Sequence, residues 1–297
     1  MGKPLRERLA ASALRRLFRG GGRSREAPYF PNQPPEALEA EWRFRMEAAK
    51  LPDASRLVLY EVLSAGHGSY APTRFIMDGD MVIVRQRDSD IAFPAPIPPV
   101  KLSHILFGYE ELLKRKYCLP GFVEVEAGDI VIDCGAYVGG FSLSAARLAK
   151  QLHAFEPEAA NFACLVRNHG SRPNVICNRA GLFNESKSAT LNVSASSVEH
   201  SLLTPDDGPP IAVRGVQVLR LDDYCRANGI DHLDFVKIEA EGVELEVFEG
   251  FGNMRPRKLA IDVSPERNGE SPADEFRKRL SALGYSVRQR MNVMFAR

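Results

Sequence analysis

The stretch DIVIDCGAYVGGFSLSAARLAKQLHAFEP, residues 129–157, decides the fold. Asp129–Ile132 is a short apolar run of strand type, and it leads into the glycine-rich turn DCGAYVGG (133–140). FSLSAARLAKQL (141–152) then has helical periodicity, and His153–Phe155 begins a second strand that closes on Glu156 and Pro157. Strand, helix and strand in close succession predict a parallel pair joined by a crossover helix, because parallel neighbours need a long connection back to the same edge.

The chemistry expected at this unit follows from its turn. Gly135 and Gly139 permit a sharp exit from the strand and should let backbone approach a ligand with no Cβ in the way. The first amides of the next helix lack partners and attract polar or anionic groups. The spacing is D-x-G-x-x-x-G, not the G-x-G-x-x-G that wraps a dinucleotide pyrophosphate. Asp133, at the carboxyl end of the first strand, is expected to meet a ligand ammonium directly or through water. Glu156 ends the second strand, 17 residues after Gly139, where a carboxylate can accept hydrogen bonds from both hydroxyls of a ribose. An ammonium at one strand end and a ribose at the next fit S-adenosylmethionine, a nucleoside that carries no pyrophosphate.

The alternation continues downstream. NVICNRAG (174–181) reads as a third strand, Phe235–Ile238 as a fourth and Lys258–Val263 as a fifth. Pro272–Leu283 is a helix, and Tyr285–Arg290 with Val293–Ala296 forms a terminal antiparallel pair. Asp222 is expected to cap the helix DDYCRAN. The fold class is therefore α/β: a seven-stranded, mostly parallel, Rossmann-like sheet with helices on both faces. In the fourth strand, Lys237 and Glu239 share one face by the two-residue period, and Glu239 and Glu241 lie at its carboxyl end, where open α/β sheets bind ligands. Glu239 is the candidate base or acceptor-orienting residue and Lys237 its tuning partner; a structural ion pair is the alternative reading of the two. An unprotonated lysine there could also take a proton. His200, in SSVEHSLL (196–203), is a second candidate base. The Pro/Ser-rich loop 194–214 is expected to border the acceptor site.

These blocks resemble the FkbM family of S-adenosylmethionine-dependent methyltransferases. The resemblance rests on PGFVEVEAGDIVIDCGAYVGGFSLSAA (120–146), AFEPEAANFACLVRN (154–168), VQVLRLDDYC (216–225) and DFVKIEAEGVELEVFEGF (234–251). It implies S-adenosylmethionine as cofactor, held by Asp133, Gly135, Ala136, Tyr137, Gly139, Glu156 and Pro157, with Asn178 and Ala180 near the adenine. It also implies O-methylation of a hydroxyl on a glycan or natural-product-like small molecule. The family pattern at the fourth strand is K-I-D-x-E-G, whereas this chain has Lys237-Ile238-Glu239-Ala240-Glu241-Gly242, so its carboxylate is one methylene longer. Two other function classes compete: a nicotinamide-dependent oxidoreductase, against which the missing G-x-G-x-x-G argues, and a non-catalytic scaffold of the same fold at a membrane surface.

The 297 residues are 44% hydrophobic and 26% charged, within the range of globular domains. Three regions are expected: a basic segment (1–26), a helical and hairpin cap (27–100) and the methyltransferase domain (101–297). Residues 1–26 hold eight Lys/Arg and two Glu, and the rest of the chain has a net charge of −5, which excludes a general nucleic-acid binder. LRERLAASALRRLFRG (5–20) is a basic amphipathic helix, so residues 1–19 are a candidate peripheral membrane contact or a helix packed on the body. In the cap, Ser55–Ala65 reads as a helix capped by Ser55. Arg74–Met77 and Met81–Arg87 read as a hairpin about Asp78-Gly79, FPAPIPP (93–99) as a connector and Val100–Lys116 as one helix. The five cysteines are scattered without a C-x-x-C pair, and the histidines do not cluster. No metal or disulfide framework is expected, and a cytoplasmic location fits.

Overall fold

The computed structural model describes residues 48–297 apart from 49, 67–69, 87–88, 194–211 and 268. The chain divides into two compact units between Leu112 and Leu113, where the sequence placed a boundary at 100/101.

In the first unit, helix α1 (Asp53–Gly66) precedes strands β1 (Thr73–Asp78), β2 (Met81–Gln86) and β3 (Ser89–Pro94), which form one antiparallel sheet in that order. The helix begins two residues before Ser55, so Ser55 is inside it and is not its cap. The expected hairpin is present, with Asp78 opposite Met81 and Gly79 at φ +59°. The strand β3 takes up the first residues of the expected connector; Pro94 is tolerated because β3 is an edge strand, where a missing N–H breaks no internal ladder. The single helix expected over 100–116 is two, α2 (Pro99–Leu106) and α3 (Tyr109–Tyr117), broken where Gly108 takes φ +86°.

The second unit is built on strands β4 (Ile130–Cys134), β5 (Gln151–Phe155), β6 (Val175–Asn178), β10 (Phe235–Ile238), β11 (Lys258–Asp262), β12 (Val287–Arg290) and β13 (Val293–Ala296). Their order is β12-β13-β11-β10-β4-β5-β6, and every neighbouring pair is parallel except those made by β13. The expected seven-stranded α/β sheet is thus observed. Helix α4 (Gly140–Ala145) follows β4, α5 (Ala159–His169) follows β5, α6 (Leu221–Ala227) precedes β10, α7 (Glu244–Glu249) follows it, and α8 (Ala273–Ala282) precedes β12. The periodic run 141–152 overstates α4: the chain leaves the helix after Ala145, and Gln151–Leu152 already belong to β5.

The two faces of the sheet are sorted by the two-residue period. On one face Ile132, Val236, Leu259 and Ile261 bury against Leu221 and Cys225 of α6, Val247 of α7 and Phe276 of α8. On the other, Phe235 stacks on Phe141 of α4 at 5.7 Å, and Tyr117 of α3 meets Phe141 edge-on at 5.9 Å. A smaller sheet, β7 (Gly181–Leu182), β9 (Ala212–Leu219) and β8 (Lys187–Val193), stands beside the large one. Residues 212–214 are therefore strand and not the end of the expected loop. Its remainder, 194–211, lies outside the described residues, as do the segment 1–26 and His200.

Candidate functional site

Sheet order reverses between β4 and β10: the chain runs outward from β4 through β5 and β6, then returns to the other side of β4 with β10. In open parallel sheets, ligands occupy the crevice at the carboxyl ends at such a switch point. Two turns meet there, the one after β4 and the one after β10.

The first turn is held by protein groups throughout. Gly135, Tyr137 and Gly139 have φ of +70°, +52° and +83°. A Cβ at Gly135 would sit 1.7 Å from the carbonyl oxygen of Glu239, and one at Gly139 would sit 2.2 Å from Nε2 of His169. Both glycines are required by close contact with neighbouring chain. Helix α4 is six residues long and starts directly after Gly139, which takes the left-handed conformation at its N-cap.

Glu156, just past the end of β5, is buried. Its Oε2 accepts from the amide of Tyr137 at 2.9 Å, and its Oε1 accepts from the amide of Glu158 at 2.9 Å and from Nδ2 of Asn161 at 3.4 Å. Burial pushes its carboxyl up to about 7 against the pull of these three donors. Ala136 donates its amide to the Phe155 carbonyl at 2.9 Å, and Pro157 is half-buried beside Glu156. Asn178 ends β6 and accepts from the Tyr224 hydroxyl at 3.1 Å; Ala180 lies buried just beyond.

Asp133 differs from the expectation. It is fully buried, Oδ2 accepts from the Ser142 hydroxyl at 2.6 Å, and Oδ1 lies 3.1 Å from Lys237 Nζ. Its carboxylate is thus tied into the interior through Ser142 and Lys237. Register explains this: Lys237 sits directly opposite Asp133 across the β4–β10 pair.

Around the second turn an alternating chain of charges runs across three strand ends. Asp262 Oδ2 at the end of β11 lies 2.7 Å from Lys116 Nζ, and Lys116 Nζ lies 2.6 Å from Glu239 Oε1. Glu239 Oε2 lies 3.3 Å from Lys237 Nζ, which reaches Asp133. Lys237 also donates to the carbonyls of Gly135 at 2.6 Å and Cys134 at 3.2 Å. Burial works against its charge, but Asp133 and Glu239 outweigh that and hold the ammonium above the usual lysine range. Lys237 is therefore a fixed cation and not an unprotonated base. With 24% of its side chain exposed, Glu239 has more access to solvent than Lys116 (13%), Lys237 (3%), Asp262 (1%) or Asp133 (0%).

The backbone after Glu239 is equally constrained. Glu241 takes φ +50° and Gly242 φ +94°, and Glu244 Oε1 accepts from the amides of Ala240 (2.8 Å) and Gly242 (3.2 Å). Burial raises Glu244 to about 7. Among the described residues, no group of three or more His, Cys, Asp or Glu is arranged to hold a metal ion, and no helix is long and apolar enough to cross a membrane.

A family model described as the methyltransferase FkbM domain matches residues 133–287, more than half of the chain. The chain belongs to the FkbM methyltransferase family. The 31-O-demethyl-FK506 methyltransferase FkbM of Streptomyces tacrolimicus is 26% identical to it over an alignment of 236 positions that covers 68% of this chain and 90% of that one. Among solved structures, the methyltransferase FkbM of Methylobacillus flagellatus KT aligns at TM-score 0.42 and 18% identity, covering 67% of this chain and 52% of the other, so the match spans about half of that protein. TYW2 of M. jannaschii, solved in complex with AdoMet, aligns at TM-score 0.37 and 13% identity over 74% and 85% of the two chains.

For this FkbM-family chain, sequence reasoning brought Lys237 and Glu239 to one face of one strand, and the structure puts them in contact. It missed Lys116, Asp262, Ser142 and Glu244. Asp262 carried a signal, since it is an acid at the end of an expected parallel strand. Lys116 carried none: it lies 123 residues from Glu239 in a helix rich in charge.

Proposed function

We propose that this chain methylates a hydroxyl of a glycan or natural-product-like small molecule, using S-adenosylmethionine. The observation that carries the reading is the pair of acidic strand ends, Glu156 and Glu239, on either side of the β4 turn at the switch point of the sheet. The donor set suits a nucleoside with no phosphate. Residues 133–146 include no Lys or Arg, and a buried carboxylate at 156 would repel a pyrophosphate. A carboxylate has about four lone-pair positions, of which three on Glu156 are taken, leaving one to accept from a ribose hydroxyl. Asn178 and Ala180, at the end of β6, would border the base.

When bound, the cofactor supplies a methyl group activated by a sulfonium. What the protein adds is placement: aligning acceptor oxygen, methyl carbon and leaving sulfur is worth up to several kcal/mol. Glu239, held by two ammonium groups and 24% exposed, accepts a hydrogen bond from the acceptor hydroxyl and orients its lone pair; it can also receive the proton as the C–O bond forms. Lys116 and Lys237 fix its rotamer. The name of the Streptomyces relative, a 31-O-demethyl-FK506 methyltransferase, supports oxygen as the acceptor atom.

Titration calorimetry tests the cofactor. S-adenosylhomocysteine should bind, Glu156→Ala should weaken it at least tenfold, and NAD should give no heat. Binding of NAD, or full affinity in Glu156→Ala, would sink the reading. On a responsive acceptor, Glu239→Gln should lower turnover while leaving cofactor affinity in place.

A further inference from the structure

The turn that follows β4 is gripped from two sides. On the inner side, the amides of Ala136 and Tyr137 are bonded to the end of β5, at the Phe155 carbonyl and the Glu156 carboxylate. On the outer side, the last two residues of α5 take the next two carbonyls: Asn168 Nδ2 donates to Val138 O at 2.9 Å, and His169 Nε2 lies 3.0 Å from Gly139 O. A carbonyl only accepts, so Nε2 carries the hydrogen and His169 is a neutral donor. The imidazole is fully buried, and burial lowers it to about 4, which keeps it neutral across the physiological range. Its ring also occupies the space that a side chain at position 139 would need, with Nε2 2.2 Å and Cδ2 2.6 Å from the place of a Cβ. The glycine and the histidine are complementary: the ring reaches the Gly139 carbonyl because that residue has no side chain. Between the two grips Tyr137 is held at φ +52°, a conformation that costs a non-glycine residue free energy and persists where the surroundings impose it.

We propose that Asn168 and His169 are positioning residues for the cofactor, acting through the carbonyls of Val138 and Gly139 to hold the turn 135–139 in the shape that receives it. This rests on the reading of that turn as the cofactor site. Neither residue touches the cofactor. Their effect is preorganisation: a turn already fixed pays no ordering cost on binding.

The test is calorimetric titration of the full chain with S-adenosylhomocysteine, with a thermal melt on each variant. Asn168→Asp replaces a donor by an acceptor of the same shape facing Val138 O, and His169→Leu removes the ring donor. Each should weaken S-adenosylhomocysteine by about tenfold, a 1.4 kcal/mol change in binding. His169→Gln, whose side-chain amide can donate to Gly139 O, should recover to within about threefold of the unmodified chain. A purely structural role predicts the opposite split, a lower melting temperature with affinity unchanged, and that result overturns the proposal. If His169→Leu does not fold, Asn168→Asp at its half-buried position decides the matter by the same split. An unmodified chain that does not bind S-adenosylhomocysteine overturns the cofactor reading and the clamp together, whereas binding indifferent to the variants overturns the clamp alone.

Discussion

The two acidic strand ends of this sheet are built in opposite ways. Glu156 is held by neutral donors, two of them backbone amides from its own neighbourhood, and burial pushes its carboxyl up to about 7. Glu239 is held by two lysines, one from its own strand and one from α3, within a run of alternating charges. The difference teaches how each site tolerates change. Amide donors come with the backbone and survive most substitutions, whereas a chain of ion pairs fails wherever one member is lost, since the survivor is left charged in a poorly solvated place.

Gly135 is where the two halves touch, because the space beside its Cα is filled by the carbonyl of Glu239. Gly135→Ala should therefore break the comparison outright. Its Cβ would overlap backbone at 1.7 Å, and its φ of +70° disfavours any side chain, so both turns must move. A destabilisation of about 4 kcal/mol or more is expected in denaturant unfolding, together with loss of cofactor binding. An alanine variant as stable as the parent would mean that the two turns are not packed as described.

How much of this was legible beforehand follows the same division. The β4 and β5 ends, with Gly135, Gly139 and Glu156, are local features of one short stretch, and the structure puts them at those strand ends. The pairing of Lys237 with Glu239 follows from the strand period. Lys116 and Asp262 join them only through the fold, and so does the burial of Asp133, which depends on its register with Lys237. The β8–β9 pair was missed for another reason. KSATLNV mixes polar and small residues with no strong alternation, and Gly215 interrupts its partner, so the pattern is weak in both strands.

The second way to sharpen the comparison is to cut the charge chain at two depths. Lys237→Met leaves Asp133 buried without its cation and should cost about 3–5 kcal/mol. Lys116→Met removes a cation that is 13% exposed and bridges Glu239 and Asp262. Water can reach the Glu239 end, so its cost should be smaller, about 1–3 kcal/mol. Urea unfolding of the two variants gives the order directly; equal losses would mean that depth does not govern the chain.

The smallest expected effect separates the two sites by pH. Burial raises Glu266 to about 9, helped by the carboxylates of Asp262, Glu244 and Glu239 and opposed by Lys116. A carboxyl raised in the folded state contributes stability that is complete below its unfolded value and fades as pH climbs through the folded one. Glu156 and Glu244, at about 7, lose theirs between roughly pH 4.5 and 7. Over that range the buried His153 and His169, both lowered to about 4, work the other way, because the unfolded chain binds their protons first. From pH 7 to about 8, before the raised thiols of Cys134, Cys164 and Cys225 begin to ionise in the unfolded chain, the histidines are neutral in both states and the other two acids are nearly spent. There Glu266 should set the slope, at most about 1.4 kcal/mol per pH unit. Glu266→Gln should flatten that alkaline limb and, because the carboxyl already loses stability from about pH 4.5 upward, should also ease the fall between pH 4.5 and 7. A limb that stays steep in the variant would assign the loss of stability to a group other than Glu266, and the contrast between an amide-held and a charge-held strand end would then have no counterpart in stability.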